Sequence, residues 1–127
     1  MRFMMMIKAT PDYEVGTPPN PALMAGMGKL AEEMMKAGVL LASDGLQPSS
    51  KGTGIKYSAG KRTVIDGPFA ETKELIGGYA ILQAQSKEEA MELANRCVDV
   101  HIDAGITEFE MEIRLLSDPA PCDSSKR

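Results

Sequence analysis

The chain has 127 residues, a net charge of -4 and 43% hydrophobic residues, which indicates a single globular domain with a core of its own. The acidic balance provides no basic surface, so the composition disfavours direct binding to nucleic acid or to an anionic membrane. Cys97 and Cys122 suggest neither a disulfide framework nor a metal site, and the apolar amino-terminal run is too short for a signal peptide or a spanning helix. We expect a cytoplasmic protein.

The first third of the chain predicts a strand, a loop and a long helix. Apolar residues on both faces of residues 2–9 predict a strand that needs cover on both sides. Three prolines within residues 10–20 predict an irregular loop. Asn20 can cap a helix that begins at Pro21, and apolar residues at four-three spacing continue it toward a left-handed cap at Gly38.

Two glycines inside this helix, Gly26 and Gly28, each lower its intrinsic propensity by roughly 1 kcal/mol relative to Ala. They predict either close packing against a neighbour or room for a ligand.

The middle of the chain predicts three strands, two of which form a hairpin. Residues 39–42 begin a second long strand that runs to Asp44 and Gly45. Residues 54–58 and 62–66 are short β segments, and the three residues between them predict a hairpin connection with Gly60 at positive φ. The apolar stretch 78–85 predicts the next strand of the main sheet.

The last third predicts a helix, a strand and a tail. Ser86 and Glu89 form a capping box, and helical spacing then continues to Gly105. Residues 107–116 alternate apolar and charged side chains with full period-two regularity, which predicts a final strand. Residues 117–127 have no packing pattern and are expected to be a flexible tail.

This order predicts a ferredoxin-like α+β domain over residues 1–116, a split βαβ plan with an inserted hairpin and two helices on one face of an antiparallel sheet. Those helices leave the other face of the sheet open, and the apolar side chains of Met4 and Met6 make exposure of that face to water unfavourable. A homodimer that stacks the open faces of two subunits is the simplest way to cover both of them. A monomer with a bare sheet is the alternative.

The segment 66–74, DGPFAETKE, gathers charge at one turn before Gly77 and Gly78. We expect Asp66 to accept turn amides, Gly67 to adopt positive φ, and Phe69 to enter the core. Turn formation does not explain the charges that follow, which either line a cleft or form a salt-bridged rim. The candidate ligand-binding residues are Asp66, Phe69, Thr72, Glu74, Gly77 and Gly78.

The stretch 63–82 resembles the signature of the YCII-related, or DGPF-type, family. The resemblance implies a dimeric α+β barrel of ferredoxin-like subunits, in a superfamily that includes small monooxygenases and muconolactone isomerases. Most of the DGPF branch has no assigned reaction. Some wider relatives are dehydrochlorinating or lyase-type enzymes acting on ring compounds, and DGPF proteins are often encoded near extracytoplasmic-function sigma factors.

Catalytic candidates follow from the charged segment and from the resemblance. Glu71 or Glu74 can act as a general base or acid, Lys73 can hold an anionic group, and Tyr79 can donate a proton. Better-characterised YCII proteins use a histidine in the first helix with an aspartate in or after the second strand. Asp44 matches that aspartate region, or else caps its turn, whereas the first helix here has no histidine. The candidate catalytic residues are Asp44, Glu71, Lys73 and Tyr79.

His101, the single histidine, is either a catalytic base or a helix-end residue bonded to main-chain carbonyls. No metal site and no cofactor are expected. We expect a protein that binds a small organic molecule between the sheet and the DGPF segment, with lyase- or isomerase-type turnover as one form of that function. The alternative is a non-catalytic regulatory or partner-binding protein linked to sigma-factor-associated transcription.

Overall fold

A computed structural model of the protein describes residues 1–18, 20–69 and 74–117. Its regular elements form an α+β architecture with antiparallel sheets. In chain order they are β1 (Arg2–Lys8), α1 (Pro11–Glu14), α2 (Pro21–Lys36), β2 (Leu40–Gly45), β3 (Thr53–Ser58), β4 (Lys61–Asp66), β5 (Ile76–Gln83), α3 (Lys87–Asp103) and β6 (Met111–Leu115). No helix among these residues is both long enough and apolar enough to cross a bilayer.

The main sheet has four strands in the order β2-β5-β1-β6, and every neighbouring pair is antiparallel. Strands β3 and β4 form a separate two-stranded sheet, which confirms the inserted hairpin. The four core strands and two long helices follow the β-α-β-β-α-β order of the ferredoxin-like plan.

Both long helices cover one face of the main sheet, as the sequence predicted. Phe3 and Met5 point from β1 into a buried cluster that also holds Leu30 of α2 and Leu93 and Cys97 of α3. Because side chains alternate along a strand, Met4 and Met6 lie on the opposite face. This is the open face of the sheet.

The helix ends follow their sequence signals. The side chain of Asn20 accepts hydrogen bonds from the backbone amides of Ala22 and Leu23, at 2.9 and 3.2 Å. Ser86 Oγ accepts from the Glu89 amide at 3.1 Å, which caps α3. Gly38 (φ 75°) and Gly105 (φ 86°) adopt the left-handed conformation just beyond the two helix ends.

Three predicted elements are corrected by the structure. Residues 10–20 are not wholly irregular, because Thr10 Oγ1 accepts from the Tyr13 amide at 3.2 Å and caps the short helix α1. The hairpin turn has two residues, Ala59 (φ 50°) and Gly60 (φ 81°), since Lys61 already pairs with Ser58. Two positive φ angles match the twist of the flanking strands.

The final strand is shorter than predicted. The period-two pattern of residues 107–116 is real, but ladder pairing with β1 extends only over β6. Phe109 lies before the strand and stacks on His101, with ring centroids 4.1 Å apart and planes at 10°. The predicted flexible tail, apart from Ser117, lies outside the described residues.

Candidate functional site

A cavity of about 500 Å³ lies between one end of the main sheet and the inner side of α2. Its walls are mostly apolar, with a few polar side chains among them. Met5 and Ile7 come from β1, while Leu23, Met24 and Met27 come from α2. This size and character are typical of a site for a small organic ligand.

Gly28 opens the α2 side of the cavity. A Cβ atom added at Gly28 would meet no heavy atom within 4 Å, whereas one added at Gly26 would lie 2.7 Å from Cγ1 of Val100. The structural reason for glycine therefore differs between the two positions. Gly26 permits close packing of α2 on α3, and Gly28 leaves room beside the cavity.

Tyr13 lines the cavity from α1. Its pKa is raised above 10.0, chiefly by desolvation and secondarily by the neighbouring Glu14 charge, while a backbone hydrogen bond at Leu46 acts in the opposite direction. The neutral phenol is therefore favoured. Tyr13 was not predicted from the sequence, although Thr10 followed by Pro11 is a helix-start signal that places it on an ordered element.

His101 lines the cavity from α3 and is 6% exposed. Its Nδ1 lies 2.8 Å from the main-chain oxygen of Cys97, one turn earlier in the helix. The partner is a carbonyl inside α3 and not one of the carbonyls at the carboxyl end of the helix that the sequence suggested. Phe109 covers one face of the ring, so the imidazole is held in one orientation.

Cys97 lies directly behind His101 and is fully buried. Burial raises the pKa of its thiol from 9.0 to about 11. Its Sγ lies 3.6 Å from Met27 Sδ and 3.9 Å from His101 Nδ1. A neutral, buried thiol of this kind packs as a small apolar group.

Of the residues proposed from sequence, Asp44, Gly77, Gly78 and Tyr79 border this cavity. The ladder pairs Asp44 with Tyr79. Gly78 and Ala80 are buried, and the alternation along β5 therefore directs the side chain of Tyr79 to the open face, with Asp44 beside it. The two proposed catalytic side chains are brought together, but on the opposite side of the sheet from His101.

Gly77 and Gly78 allow close approach of the backbone. A Cβ at Gly78 would lie 3.2 Å from the main-chain oxygen of Asp44, and one at Gly77 would lie 3.5 Å from Cα of Ala9 and 3.6 Å from the ring of Tyr13. This crowding is a structural reason for glycine at both positions. It also leaves the strand backbone bare at the cavity wall.

The DGPF turn is a separate cluster at the base of the hairpin. Asp66 accepts a hydrogen bond from the Thr53 hydroxyl at 3.3 Å, not from the turn amides that were expected. Gly67 does not have positive φ, and a Cβ there would lie 1.7 Å from the main-chain oxygen of Ser49. Glycine is needed here for contact with Ser49.

Phe69 is half-buried and packs beside Gly52 and Gly54 instead of entering the main core. Its amide donates to Ser49 Oγ at 3.0 Å. Ser49 in turn binds the carboxylate of Glu14 through both its amide, at 2.9 Å, and its hydroxyl. One serine thus joins α1 to the turn.

The other charged candidates lie apart from the cavity or outside the described residues. Glu74 is exposed and does not line the cavity. Glu71, Thr72 and Lys73 fall in the segment 70–73, which the structure does not describe. Within the described ranges, no group of three or more His, Cys, Asp or Glu side chains is arranged to hold a metal ion.

A second cavity of about 480 Å³ lies between α3 and β6. Met91 and Val98 line it from α3, and Phe109 and Met111 line it from the region of β6. Lys87 is its one charged lining residue within the described chain. Because the first cavity combines apolar walls with Tyr13 and His101, it is the better candidate for a ligand site.

Comparison with known proteins gives the family. The sequence profile of the YCII-related domain matches residues 1–110. The chain belongs to the YCII-related domain family. An uncharacterised protein of Rhizobium meliloti (strain 1021) is 33% identical over 72 residues, which are 57% of this YCII-related chain. The same match covers 58% of the relative's own length, and the name of that relative assigns no activity.

Proposed function

We propose that this YCII-related protein binds a small, largely apolar organic molecule in the cavity between the sheet and α2. The observation that carries the proposal is the composition of that cavity: about 500 Å³ of space with apolar walls and two ring side chains, Tyr13 and His101, that bear polar atoms. Such a site can accommodate a ring compound by apolar contact and orient it through one or two hydrogen bonds.

A thermal-shift screen tests this function. Small phenols, cyclic ketones and ring carboxylates are added to the wild-type chain, and the melting temperature is followed. A ligand present at 100 times its Kd stabilises the folded state by about 2.7 kcal/mol. A protein that no compound of these classes stabilises would contradict the proposal.

We also propose lyase- or isomerase-type turnover of a molecule bound at the open face of the sheet, where the side chains of Asp44 and Tyr79 lie, rather than inside the cavity under α2. Asp44 and Tyr79 are directly opposite on neighbouring strands, so one can accept a proton while the other donates one. Glu71 and Lys73 are proposed as a further acid or base and as a clamp for an anionic group. With a turned-over ligand in hand, Asp44→Asn and Tyr79→Phe should lower kcat, and full activity in both would refute the assignment.

The charged segment has its own test. If a ligand binds between the sheet and the DGPF segment, as the sequence suggested, and not under α2, replacing Lys73 and Glu74 by Ala should abolish its binding and leave the melting temperature nearly unchanged. If the double variant instead loses stability and binds normally, these charges are the salt-bridged rim of the alternative interpretation.

A homodimer that joins two open faces is part of the proposal. On this face Met4 and Ile81 are only half-buried, whereas Met6 is buried. Beside Met6, the carboxylate of Glu112 forms an ion pair with Lys8 at 3.5 Å. Sedimentation equilibrium of the wild type and of Ile81→Arg tests the arrangement. A dimer that dissociates in the variant supports it, and a wild-type monomer at micromolar concentration contradicts it.

The hairpin supports a second candidate function, a partner-binding or regulatory protein. Ile55, Tyr57 and Val64 are the most exposed apolar side chains of the hairpin, at 73, 67 and 65%, and the pairing of Ile55 with Val64 places them on one face. An apolar face of this kind is typical of a protein contact. This function predicts that Val64→Lys leaves ligand binding intact but removes association with a transcription partner.

A further inference from the structure

We infer that Nε2 of His101 is the hydrogen-bond acceptor that selects a ligand with a hydroxyl or N–H donor, an inference that rests on the proposed cavity function and names the ligand class. Two properties of the histidine support this inference: the tautomer of its ring and the space that its second ring nitrogen faces.

The tautomer follows from the partner of Nδ1. A main-chain carbonyl can only accept a hydrogen bond, so Nδ1, at 2.8 Å from the oxygen of Cys97, must carry a proton. In a neutral imidazole the other nitrogen, Nε2, is then an acceptor. The thiol of Cys97 lies 3.9 Å from Nδ1 and makes no hydrogen bond to Nε2.

The environment places Nε2 at the cavity. It has no hydrogen-bond partner among the described residues. Among the same described residues, however, every buried side-chain nitrogen or oxygen that is sealed from solvent has a hydrogen-bond partner. Nε2 must therefore border open space. His101 is 94% buried, and the space that it lines is the cavity beneath α2.

The surroundings make this acceptor selective. Phe109 stacks on the ring and Met27 contacts the thiol behind it, so the imidazole cannot rotate freely to another partner. A ligand that fills the apolar cavity without offering a donor leaves Nε2 unsatisfied after water is displaced, which costs binding free energy. A phenol or ring alcohol satisfies it, whereas the corresponding ether does not.

The first measurement uses the fact that His101 is the only histidine of the chain. Protein labelled with ¹⁵N-histidine gives one pair of ring-nitrogen resonances in the full-length, wild-type chain. At mildly alkaline pH we expect a protonated Nδ1 and an unprotonated Nε2. A ring protonated at Nε2 alone would overturn the inference even before any ligand is added.

The second measurement compares two matched probes, 2-naphthol and 2-methoxynaphthalene, which differ in the presence of one O–H donor. We expect 2-naphthol to bind about tenfold more tightly, as one neutral hydrogen bond allows, and to move the Nε2 resonance upfield. In His101→Phe, which keeps an aromatic ring against Phe109, the two probes should bind equally. In His101→Gln, whose amide can reach toward the cavity, part of the preference should return.

The outcomes separate this inference from the proposed function. If both probes bind equally to the wild type and to His101→Phe, the cavity binds ligands but His101 does not select them, and the inference is wrong. If neither probe binds nor shifts either resonance, both the inference and the cavity function are contradicted for this ligand class. The ¹⁵N measurement on the wild type does not depend on the folding of either variant.

Discussion

Gly28 offers the most direct test of the cavity, because substitutions there separate ligand binding from stability. Its φ is not positive, and an added Cβ would meet no heavy atom within 4 Å. Gly28→Ala should therefore gain the helix propensity that glycine loses, roughly 0.8–1.0 kcal/mol. For a chain of this size the melting temperature should rise by about 3–5 °C.

Gly28→Leu tests the function itself. Leucine has nearly the helix propensity of alanine, so the fold should keep most of that gain. The longer side chain extends into the space between α2 and the sheet, which is also lined by Met24 and Met27. A ligand in the cavity must then lose contact area, and we expect its affinity to fall more than tenfold.

Lys29→Leu is the matched control for this substitution. It adds the same side chain to the same helix one residue later, where Lys29 is exposed and lies outside the cavity. Isothermal titration with any ligand found in the screen, together with thermal melts, measures both effects. Normal binding by a folded Gly28→Leu protein, or equal loss in Lys29→Leu, would refute the placement of the ligand under α2.

Three further predictions concern contacts around the site. Gly26→Ala should destabilise the protein by about 1–2 kcal/mol, since its Cβ would overlap the stiff side chain of Val100, and chemical denaturation should show that Val100→Ala relieves the loss. The free energy of unfolding should not depend on the Cys97 thiol below pH 9.0 and should decline from there to about pH 11, because the thiol ionises first in the unfolded chain. Cys97→Ala should reduce this decline, and an unchanged slope of stability against pH would show that another group causes it. Ser49→Ala should speed hydrogen exchange of the Phe69 amide, which loses its acceptor, and continued protection would mean that the turn is held by other contacts.

Much of the fold could be predicted because its signals are local. Asn20, Ser86, Gly38 and Gly105 act within one helical turn of their own positions, and all four occupy the cap positions expected of them. Alternation likewise fixed which side of β1 enters the core. These features depend on residues no more than four positions apart in the chain.

The candidate site was predicted only in part because its contacts are long-range. Gly67 is glycine on account of Ser49, 18 residues earlier, and no local turn rule contains that information. Phe69 packs on the hairpin because Ser49 holds its amide there. Tyr13 and His101 meet the same cavity from elements that lie almost ninety residues apart in the sequence.

The position of the sheet limits which acid-base mechanism this chain can use. The resemblance implied a histidine from the first helix acting with an aspartate near the second strand, and α2 supplies no such histidine. His101 approaches the same region from α3, but on the helix-covered face, whereas the side chain of Asp44 lies beside Tyr79 on the open face. The two side chains point to opposite faces of the sheet, and no hydrogen bond joins them. Ligand selection by His101 and proton transfer by Asp44 are therefore independent proposals, and Asp44→Asn should leave the preference for 2-naphthol over 2-methoxynaphthalene unchanged.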